Sequence, residues 1–480
     1  MPMKKNPYLR YSVFTSVFLW FYILSPAAFG QDTSKVIIGK ICITGNKVTK
    51  EKIILRELTF GKGDTVSREK WGMMLKKSRQ NLMNAALFNF VEIDTLCPND
   101  SLAITDVQIK VTERWYTWPF PIFQFGDRNF NTWWETKDFS RLDYGLFLQQ
   151  FNFLGRKQTI NLRLLYGYDE NYSLIYDIPY INRRQTIGTG FAIGYARNHE
   201  VPYGTENDKL KFYKDENAYP KTDFFSWFQL SYRFGIYESL IMQLHYDKYH
   251  FSDSLIYKNN NYSFHNATDI DYFTFYLLFK ADHRDYKPYP LNGYYFDYEL
   301  TKNGLGIMKN EKTDVLFSKA TLRNFWKLGG RFYFASGLTA KVSSDNVQPY
   351  FLQRGLGYQR DFVRGYEYYV VDGQNYFLGK FNLKYQLVRQ QVYKLPFLKT
   401  EKFNRIPYAF YINLFSDFAY VKSLRYENHN TFTNSLPDSW LNGNGIGIDF
   451  VTYYDKVIRL EYSVNKKGES GFFIHFMTSI

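Results

Sequence analysis

The chain has 480 residues, 20% of them aromatic, and a formal net charge of +14. Its mean hydropathy of −0.40 excludes a bundle of membrane-spanning helices, because such bundles contain long apolar runs and have a positive mean hydropathy. The basic residues are scattered and form no basic helix or finger motif, so no nucleic-acid partner is predicted. Anionic lipid headgroups or a positively lined lumen explain the charge better.

Residues 1–30 have the pattern of a secretory signal peptide. A basic region at residues 4–10 precedes an apolar stretch at 11–24 and a small-x-small cleavage site at Ala28-Phe29-Gly30. A short membrane anchor is the alternative interpretation. The mature chain is therefore expected to be exported.

Residues 31–114 predict a small α+β domain. Thr49 and Ser67 are the predicted caps of its two helices, because hydroxyl side chains accept hydrogen bonds from a helix's first N–H groups. A disulfide between Cys42 and Cys97 stays open, since their Cα separation does not follow from sequence. In chain order, the predicted elements are a strand at 36–43, helices at 49–58 and 67–84, and strands at 88–95 and 102–111.

From residue 115 to residue 480 the sequence consists of short stretches in which apolar and polar side chains alternate, as in Ile160–Leu164. Alternation gives each strand one apolar and one polar face. A soluble sandwich can use the same pattern, but the many large aromatic residues fit the interfacial girdles of a barrel in lipid. The predicted fold class is therefore mainly β, with a transmembrane barrel of about sixteen antiparallel strands, an even number as bacterial barrels require.

No catalytic motif stands out. Neither His-Glu-x-x-His nor Gly-x-Ser-x-Gly occurs in the chain. The protein is therefore expected not to be an enzyme, and no cofactor or metal site is predicted.

Residues 343–375, between the eleventh and twelfth predicted strands, do not alternate and are predicted to form a loop that enters the lumen. Alternation turns Asp417 inward on the thirteenth strand, and a desolvated carboxylate needs a partner. Arg364, next to Gly365, can fold inward and pair with it in a bidentate manner. Asp449, also inward, is a second candidate partner. The alternative is that Arg364 is a solvated residue of an external loop.

These features resemble the BamA/TamA family of outer-membrane assembly proteins. Asn382 departs from the family pattern, because it stands where a glutamate is common. Three glycines, Gly443, Gly445 and Gly447, fit the family's fourteenth strand and either loosen the barrel seam or accommodate the lumenal loop or a nearby aromatic residue. The other matching elements are Val363-Arg364-Gly365-Tyr366 in the loop, Asp282, Arg284, Asp285, Pro290 and Gly293 at the turn into the ninth strand, Phe415-Ser416-Asp417 in the thirteenth strand, and Ile43–Asn46 and Leu87-Phe88 in the N-terminal domain.

The resemblance implies a single periplasmic POTRA domain at residues 31–114 and a surface-antigen-type barrel at 115–480. Asp417, Asp449 and Asn382 would be barrel-wall partners of the loop. POTRA domains of the family bind client segments by adding a strand to an exposed sheet edge. The edge here would be formed by Phe88, Phe90, Val91 and Ile93.

The implied function is assembly of proteins in the bacterial outer membrane, with the barrel inserting or translocating client polypeptides. The implied partners are outer-membrane lipids and lipopolysaccharide, unfolded outer-membrane or secreted polypeptides, and periplasmic or lipoprotein accessory subunits. A two-partner-type secretion pore for a dedicated partner and a passive porin or structural protein are the alternatives. The secretion pore is less favoured, because no plug helix is predicted before Lys35.

Overall fold

The computed structural model describes residues 35–96, 104–125, 142–308, 311, 313–344, 348–358, 360–423 and 432–476. The predicted signal peptide and Cys97 lie outside these ranges. Within them, no helix is both long enough and apolar enough to cross a bilayer.

The N-terminal domain is a four-stranded sheet covered by two helices. Its strand order is β2-β1-β4-β3, with β1 and β4 parallel and the other pairs antiparallel. Ile38, Ile54, Leu82, Phe88 and Ile109 are central to its apolar core. The elements are β1 (Lys35–Thr44), α1 (Glu51–Leu55), β2 (Thr65–Ser67), α2 (Arg68–Asn84), β3 (Phe88–Leu96) and β4 (Ile104–Glu113).

Ser67 stands at the N-cap of the second helix, as predicted, but the predicted capping by the Thr49 and Ser67 hydroxyls is wrong. Helix α1 follows Lys50 and helix α2 follows Ser67, and neither of these side chains makes a capping hydrogen bond. The Thr49 hydroxyl lies 3.1 Å from the Tyr116 hydroxyl and accepts a hydrogen bond from Asn152 Nδ2 at 2.9 Å. The Thr49 hydroxyl therefore contacts residues of the following domain, whereas the local sequence predicted that it would cap the helix.

Between Thr117 and Phe476 the described residues form one antiparallel sheet of 16 strands, in which the strands follow chain order except that β12 pairs with β9. This confirms the predicted mainly β fold, an α+β domain followed by a barrel-like sheet. A hairpin of β10 and β11 and two short helices lie in the connections. The elements are β5 (Thr117–Phe125), β6 (Leu142–Phe153), β7 (Gln158–Gly167), β8 (Glu170–Ile178), β9 (Ile187–Asn198), β10 (Glu200–Glu206), β11 (Lys209–Lys214), β12 (Lys221–Arg233), β13 (Glu238–Phe251), α3 (Asp253–Lys258), β14 (Asp269–Asp282), β15 (Gly293–Asn303), β16 (Val315–Gly329), β17 (Phe332–Ser343), β18 (Asn375–Lys394), α4 (Glu401–Asn404), β19 (Arg405–Lys422), β20 (Trp440–Val451), β21 (Val457–Asn465) and β22 (Ser470–Phe476), with single 3₁₀ turns at Phe264–Asn266 and Tyr453–Asp455.

The two faces of this sheet differ in the way that alternation predicts. On β19, Leu414 is 52% exposed, whereas its neighbours Asn413 and Phe415 are 0% and 5% exposed. On β22, Phe472 and Ile474 are also exposed on the outer face. Large apolar side chains that cover the outside of a sheet, with polar residues inside, suit lipid on one side and a polar lumen on the other.

Candidate functional site

The connection between β17 and β18 folds back into the sheet and has an apolar core of its own. Leu356 and Val371 are bridged by reciprocal backbone hydrogen bonds of 3.0 and 2.9 Å. Val363 and Tyr366 pack in the same buried cluster, together with Ala419 of β19. The loop is therefore packed against the inner face of the barrel wall.

Arg364 holds this loop to the wall, and it is 2% exposed. Its Nε donates to Asp417 Oδ2 at 2.8 Å and its Nη2 donates to Asp417 Oδ1 at 2.5 Å, which is the bidentate pair that the sequence predicts. Its Nη1 donates to Asn382 Oδ1 at 2.7 Å and to Glu461 Oε1 at 3.3 Å. The guanidinium also lies 3.9 Å from the centre of the Phe415 ring.

Asn382 takes part in this site despite its departure from the family pattern. Two carboxylates, from Asp417 and Glu461, already face Arg364. A neutral amide oxygen supplies a further acceptor without a third negative charge in the same small volume. Asn382 therefore contacts Arg364 without adding a charge to the site.

Asp449, predicted as a second partner of Arg364, instead pairs with Arg459. Nε and Nη2 of Arg459 donate to its two oxygens at 2.6 and 3.1 Å. Asn413 Nδ2 donates to Asp449 at 2.9 Å and the Tyr289 hydroxyl at 2.7 Å. The prediction failed because Arg459 lies directly opposite Asp449 in the β20–β21 ladder, a register that one strand's sequence does not reveal.

Two inward residues of β21, Arg459 and Glu461, were not predicted as part of the site. Both are buried and alternate with Leu460, which is 51% exposed. Alternation, which turned Asp417 inward, would have placed them in the lumen as well.

The turn between β14 and β15 is compact and contains the predicted motif. Arg284 Nε and Nη2 donate to the two oxygens of Asp282 at 2.7 and 2.8 Å. Asp285 accepts backbone N–H bonds, including one from Leu291 at 3.0 Å. Pro290 is buried. Gly293 has φ +104°, and a Cβ there would lie 2.2 Å from a backbone oxygen, so the turn requires glycine.

The same turn contacts both the lumen of the barrel and the N-terminal domain. Tyr289, 3% exposed, extends into the lumen, where its ring lies 4.6 Å from that of Tyr411. Lys384 Nζ lies 4.4 Å from the Tyr289 ring. On the other side, Asn84 of α2 donates to the carbonyl of Asp285 at 3.2 Å and accepts from the Lys287 N–H at 2.8 Å. The turn therefore joins the N-terminal domain to the lumen.

Two ion pairs fasten the N-terminal domain to the barrel. Arg114 donates to both oxygens of Asp455 at 2.5 and 3.0 Å. Arg233 donates to both oxygens of Glu57 at 3.0 and 2.8 Å. Burial alone would raise the pKa of Glu57, but Lys157 and Arg233 lower it to about 2, so the carboxylate stays charged.

Gly443 of β20 accommodates the lumenal loop, and Gly445 accommodates an aromatic ring of β19. Gly443 lies opposite Asp417, and a Cβ there would stand 1.7 Å from the backbone oxygen of Arg364. At Gly445 a Cβ would stand 2.4 Å from the Phe415 ring. Strand β20 forms ladders with both β19 and β21, so its glycines do not loosen its pairing. This supports the alternative in which the glycines make room for neighbouring groups.

Gly443→Ala is therefore expected to push the loop away from the wall. Overpacking of this kind typically costs ~1–3 kcal/mol, and the midpoint of thermal unfolding of the barrel should fall. Gly235→Ala is the control, because its Cβ would meet only the end of the Glu238 side chain, at 3.3 Å. Equal midpoints for the two variants would contradict the close approach.

The predicted client-binding edge is only partly free. Strand β3 lies at the edge of its sheet, but Phe88 and Val91 are buried, and the Arg405 guanidinium lies 4.1 Å from the Phe90 ring. Arg79 Nε donates to the Val91 carbonyl at 2.9 Å, so this carbonyl points away from β4. Alternate residues of a strand share this direction, so the backbone groups of Ile93 also face the free edge.

The comparisons agree with this architecture. Residues 36–114 match the POTRA family, described as surface antigen variable number repeat. CdiB from Escherichia coli has a TM-score of 0.52 at 10% identity, covering 92% of this chain and 75% of that chain. BamA from Haemophilus ducreyi lacking POTRA domains 1–3 gives 0.49 at 14% identity, covering 92% and 83%. CdiB from Acinetobacter baumannii gives 0.45 at 12% identity, covering 92% and 74%. No curated protein matched in a search by similarity.

Residues 36–114 are thus a POTRA domain, and the E. coli CdiB structure shows that the chain shares its fold. The protein is of the class that joins a POTRA domain to a 16-stranded β-barrel. The POTRA match and the 16-stranded sheet support the resemblance to the BamA/TamA family that the sequence predicts.

Proposed function

We propose that this protein is a non-enzymatic assembly factor of the bacterial outer membrane. Its POTRA domain, in the periplasm, would receive unfolded outer-membrane or secreted polypeptides, and its barrel would insert or translocate them. Outer-membrane lipids and lipopolysaccharide would surround the barrel, and accessory subunits would approach from the periplasm. The observation that supports this proposal is that, among the described residues, the four-stranded and the 16-stranded sheet each end in a strand with an open edge.

In the POTRA domain the open edge is the second half of β3. Glu92, Asp94 and Thr95 are exposed, and the preceding half of the strand is covered by the barrel. An extended client can add a strand here through main-chain hydrogen bonds, which read no particular sequence. Such recognition suits a factor that handles many clients.

In the barrel the open edges are β5 and β22, the first and last strands of the sheet. No ladder joins them among the residues that the structure describes. Strand β22 pairs with β21 from Ser470 to Phe476 and leaves its other side without a ladder partner in the same ranges. An unpaired strand edge is a template for another strand, which supports insertion of clients at this seam.

Thr95→Pro tests the POTRA edge. Thr95 has the same orientation as Val91 and Ile93, so its N–H faces the free edge and its loss spares the β3–β4 ladder. Capture of clients should weaken by up to about tenfold, since one backbone hydrogen bond contributes ~0.5–1.5 kcal/mol. The measurement is photocrosslinking in cells from position 94, with the captured polypeptides identified by mass spectrometry.

Thr95→Ala is the matched control, because it removes the same side chain and keeps the N–H. Equal crosslinking by the alanine and proline variants would exclude strand addition at this edge. The identity of the captured chains separates the alternatives. Many barrel proteins would support an assembly factor, a single exported polypeptide would favour a secretion pore, and no client would favour a porin.

A further inference from the structure

Three side chains that are distant in the chain meet in the lumen beside the Arg364 site. Glu461 lies on β21, His475 on β22, and Glu367 in the lumenal loop. His475 Nε2 is 3.3 Å from Glu461 Oε2 and 3.5 Å from Glu367 Oε1. One donor atom from each residue lies within 4.8 Å of the other two.

These three atoms are buried, and none of them makes a hydrogen bond of acceptable geometry within the described residues. The second oxygen of each carboxylate is engaged. Glu367 Oε2 accepts from the Gly365 N–H at 2.9 Å, and Glu461 Oε1 accepts from Arg364 at 3.3 Å. One oxygen of each carboxylate is thus held by a hydrogen bond, and the other oxygen faces the cluster. Carboxylates that bind metal ions are commonly oriented by such hydrogen bonds.

The distances fit a tetrahedral ion. Zn²⁺ binds histidine nitrogen and carboxylate oxygen at ~2.0–2.2 Å, so neighbouring ligands of a tetrahedron lie roughly 3.3–3.6 Å apart. The two separations from His475 Nε2, 3.3 and 3.5 Å, fall in this range.

The charge around the cluster is mixed. Arg364 and Arg459 form their closest pairs with Asp417 and Asp449, and both also lie within 3.5 Å of Glu461 Oε1. A bound ion would therefore use the second oxygen of Glu461, Oε2, which faces His475. A cavity of about 320 Å³ borders Glu461 and His475 and gives room for a water molecule as the fourth ligand.

We infer that Glu367, Glu461 and His475 form a binding site for a divalent transition-metal ion, with Zn²⁺ as the best fit to one imidazole and two carboxylates. Hard cations such as Mg²⁺ and Ca²⁺ prefer oxygen-only sites. The bound ion would cross-link the lumenal loop to β22, the last strand of the sheet, through Glu367 and His475. This inference stands independently of the proposed function.

The test is Zn²⁺ binding to the full-length protein purified in detergent, measured by equilibrium dialysis and elemental analysis. About one tightly bound Zn²⁺ per chain is expected, as for a site with three protein ligands. Glu367→Gln and His475→Gln should each weaken binding by more than ~100-fold, since loss of an outer-shell partner alone costs 10–100-fold. Cobalt absorption bands of tetrahedral type should appear in the wild-type protein and be lost in both variants.

His250→Gln is the matched control. His250 forms a pair with Asp269 at 3.0 Å but has no third ligand among the described residues, so its loss should leave Zn²⁺ binding unchanged. Folding of every variant is checked by gel electrophoresis, in which a folded barrel changes its mobility when the sample is heated. Failure of the folded wild-type protein to bind Zn²⁺, or equal losses in the control and the two site variants, would overturn the site.

Discussion

Replacing Arg364 with alanine should release the lumenal loop from the barrel wall. Asp417 and Glu461 would remain buried without their shared cation, and removal of one partner of a buried pair typically costs ~3–5 kcal/mol. The loop can avoid this penalty only by letting water reach the two carboxylates. We expect new cleavage by proteinase K between Tyr350 and Gln374, and a lower midpoint of thermal unfolding.

Arg360→Ala is the control for this experiment. Arg360 belongs to the same loop and is exposed, so the change removes a similar side chain without unpairing a buried carboxylate. Its cleavage pattern should match that of the wild-type protein. If Arg364→Ala resists proteinase K as well as this control does, the ion pair does not hold the loop.

Replacing Arg114 with alanine should free the POTRA domain to move relative to the barrel. Arg114 is 7% exposed, donates to the Phe88 carbonyl at 2.9 Å within its own domain, and forms the bidentate pair with Asp455. Because Asp455 is partly hydrated, we expect a cost near the lower end of ~3–5 kcal/mol. Spin labels at Lys77 and Arg331 should then give a broader distance distribution.

The control for the junction is Arg68→Ala, which removes an exposed arginine from the start of α2. Its distance distribution should stay as narrow as that of the wild-type protein. A narrow distribution in Arg114→Ala as well would mean that the Glu57–Arg233 pair and the Asn84 contacts hold the domain without Arg114.

The parts of the structure that sequence predicted are those set by short-range pattern. Each barrel strand alternates on its own, so the positions of the strands in the sequence and the inward direction of Asp417 follow without knowledge of the neighbouring strands. The loop motif then supplied Arg364 as a partner. Asp417 was therefore correctly paired from sequence alone.

The predictions that failed have a different cause. Each of them depends on which distant segments of the chain lie next to each other in the fold. The Asp449–Arg459 pair follows from the register between β20 and β21. Thr49 contacts Tyr116 and Asn152 because the POTRA domain packs on the barrel. Likewise, the cluster of Glu367, Glu461 and His475 that we infer to bind a metal ion combines residues of one loop and two strands. The spacing of these residues in the chain therefore does not predict it.

The position of Tyr289 has a consequence for communication across the membrane. Its hydroxyl bonds Asp449, Asp449 pairs with Arg459, Arg459 Nε lies 3.5 Å from Glu461 Oε1, and Glu461 contacts Arg364. A relay of polar contacts thus runs from the turn that touches the POTRA domain to the lumenal loop. Asp449, Arg459, Glu461 and Arg364 are all buried. Because loss of a contact between two of them weakens the pairing of a buried charge, the two ends of the barrel are expected to shift in concert.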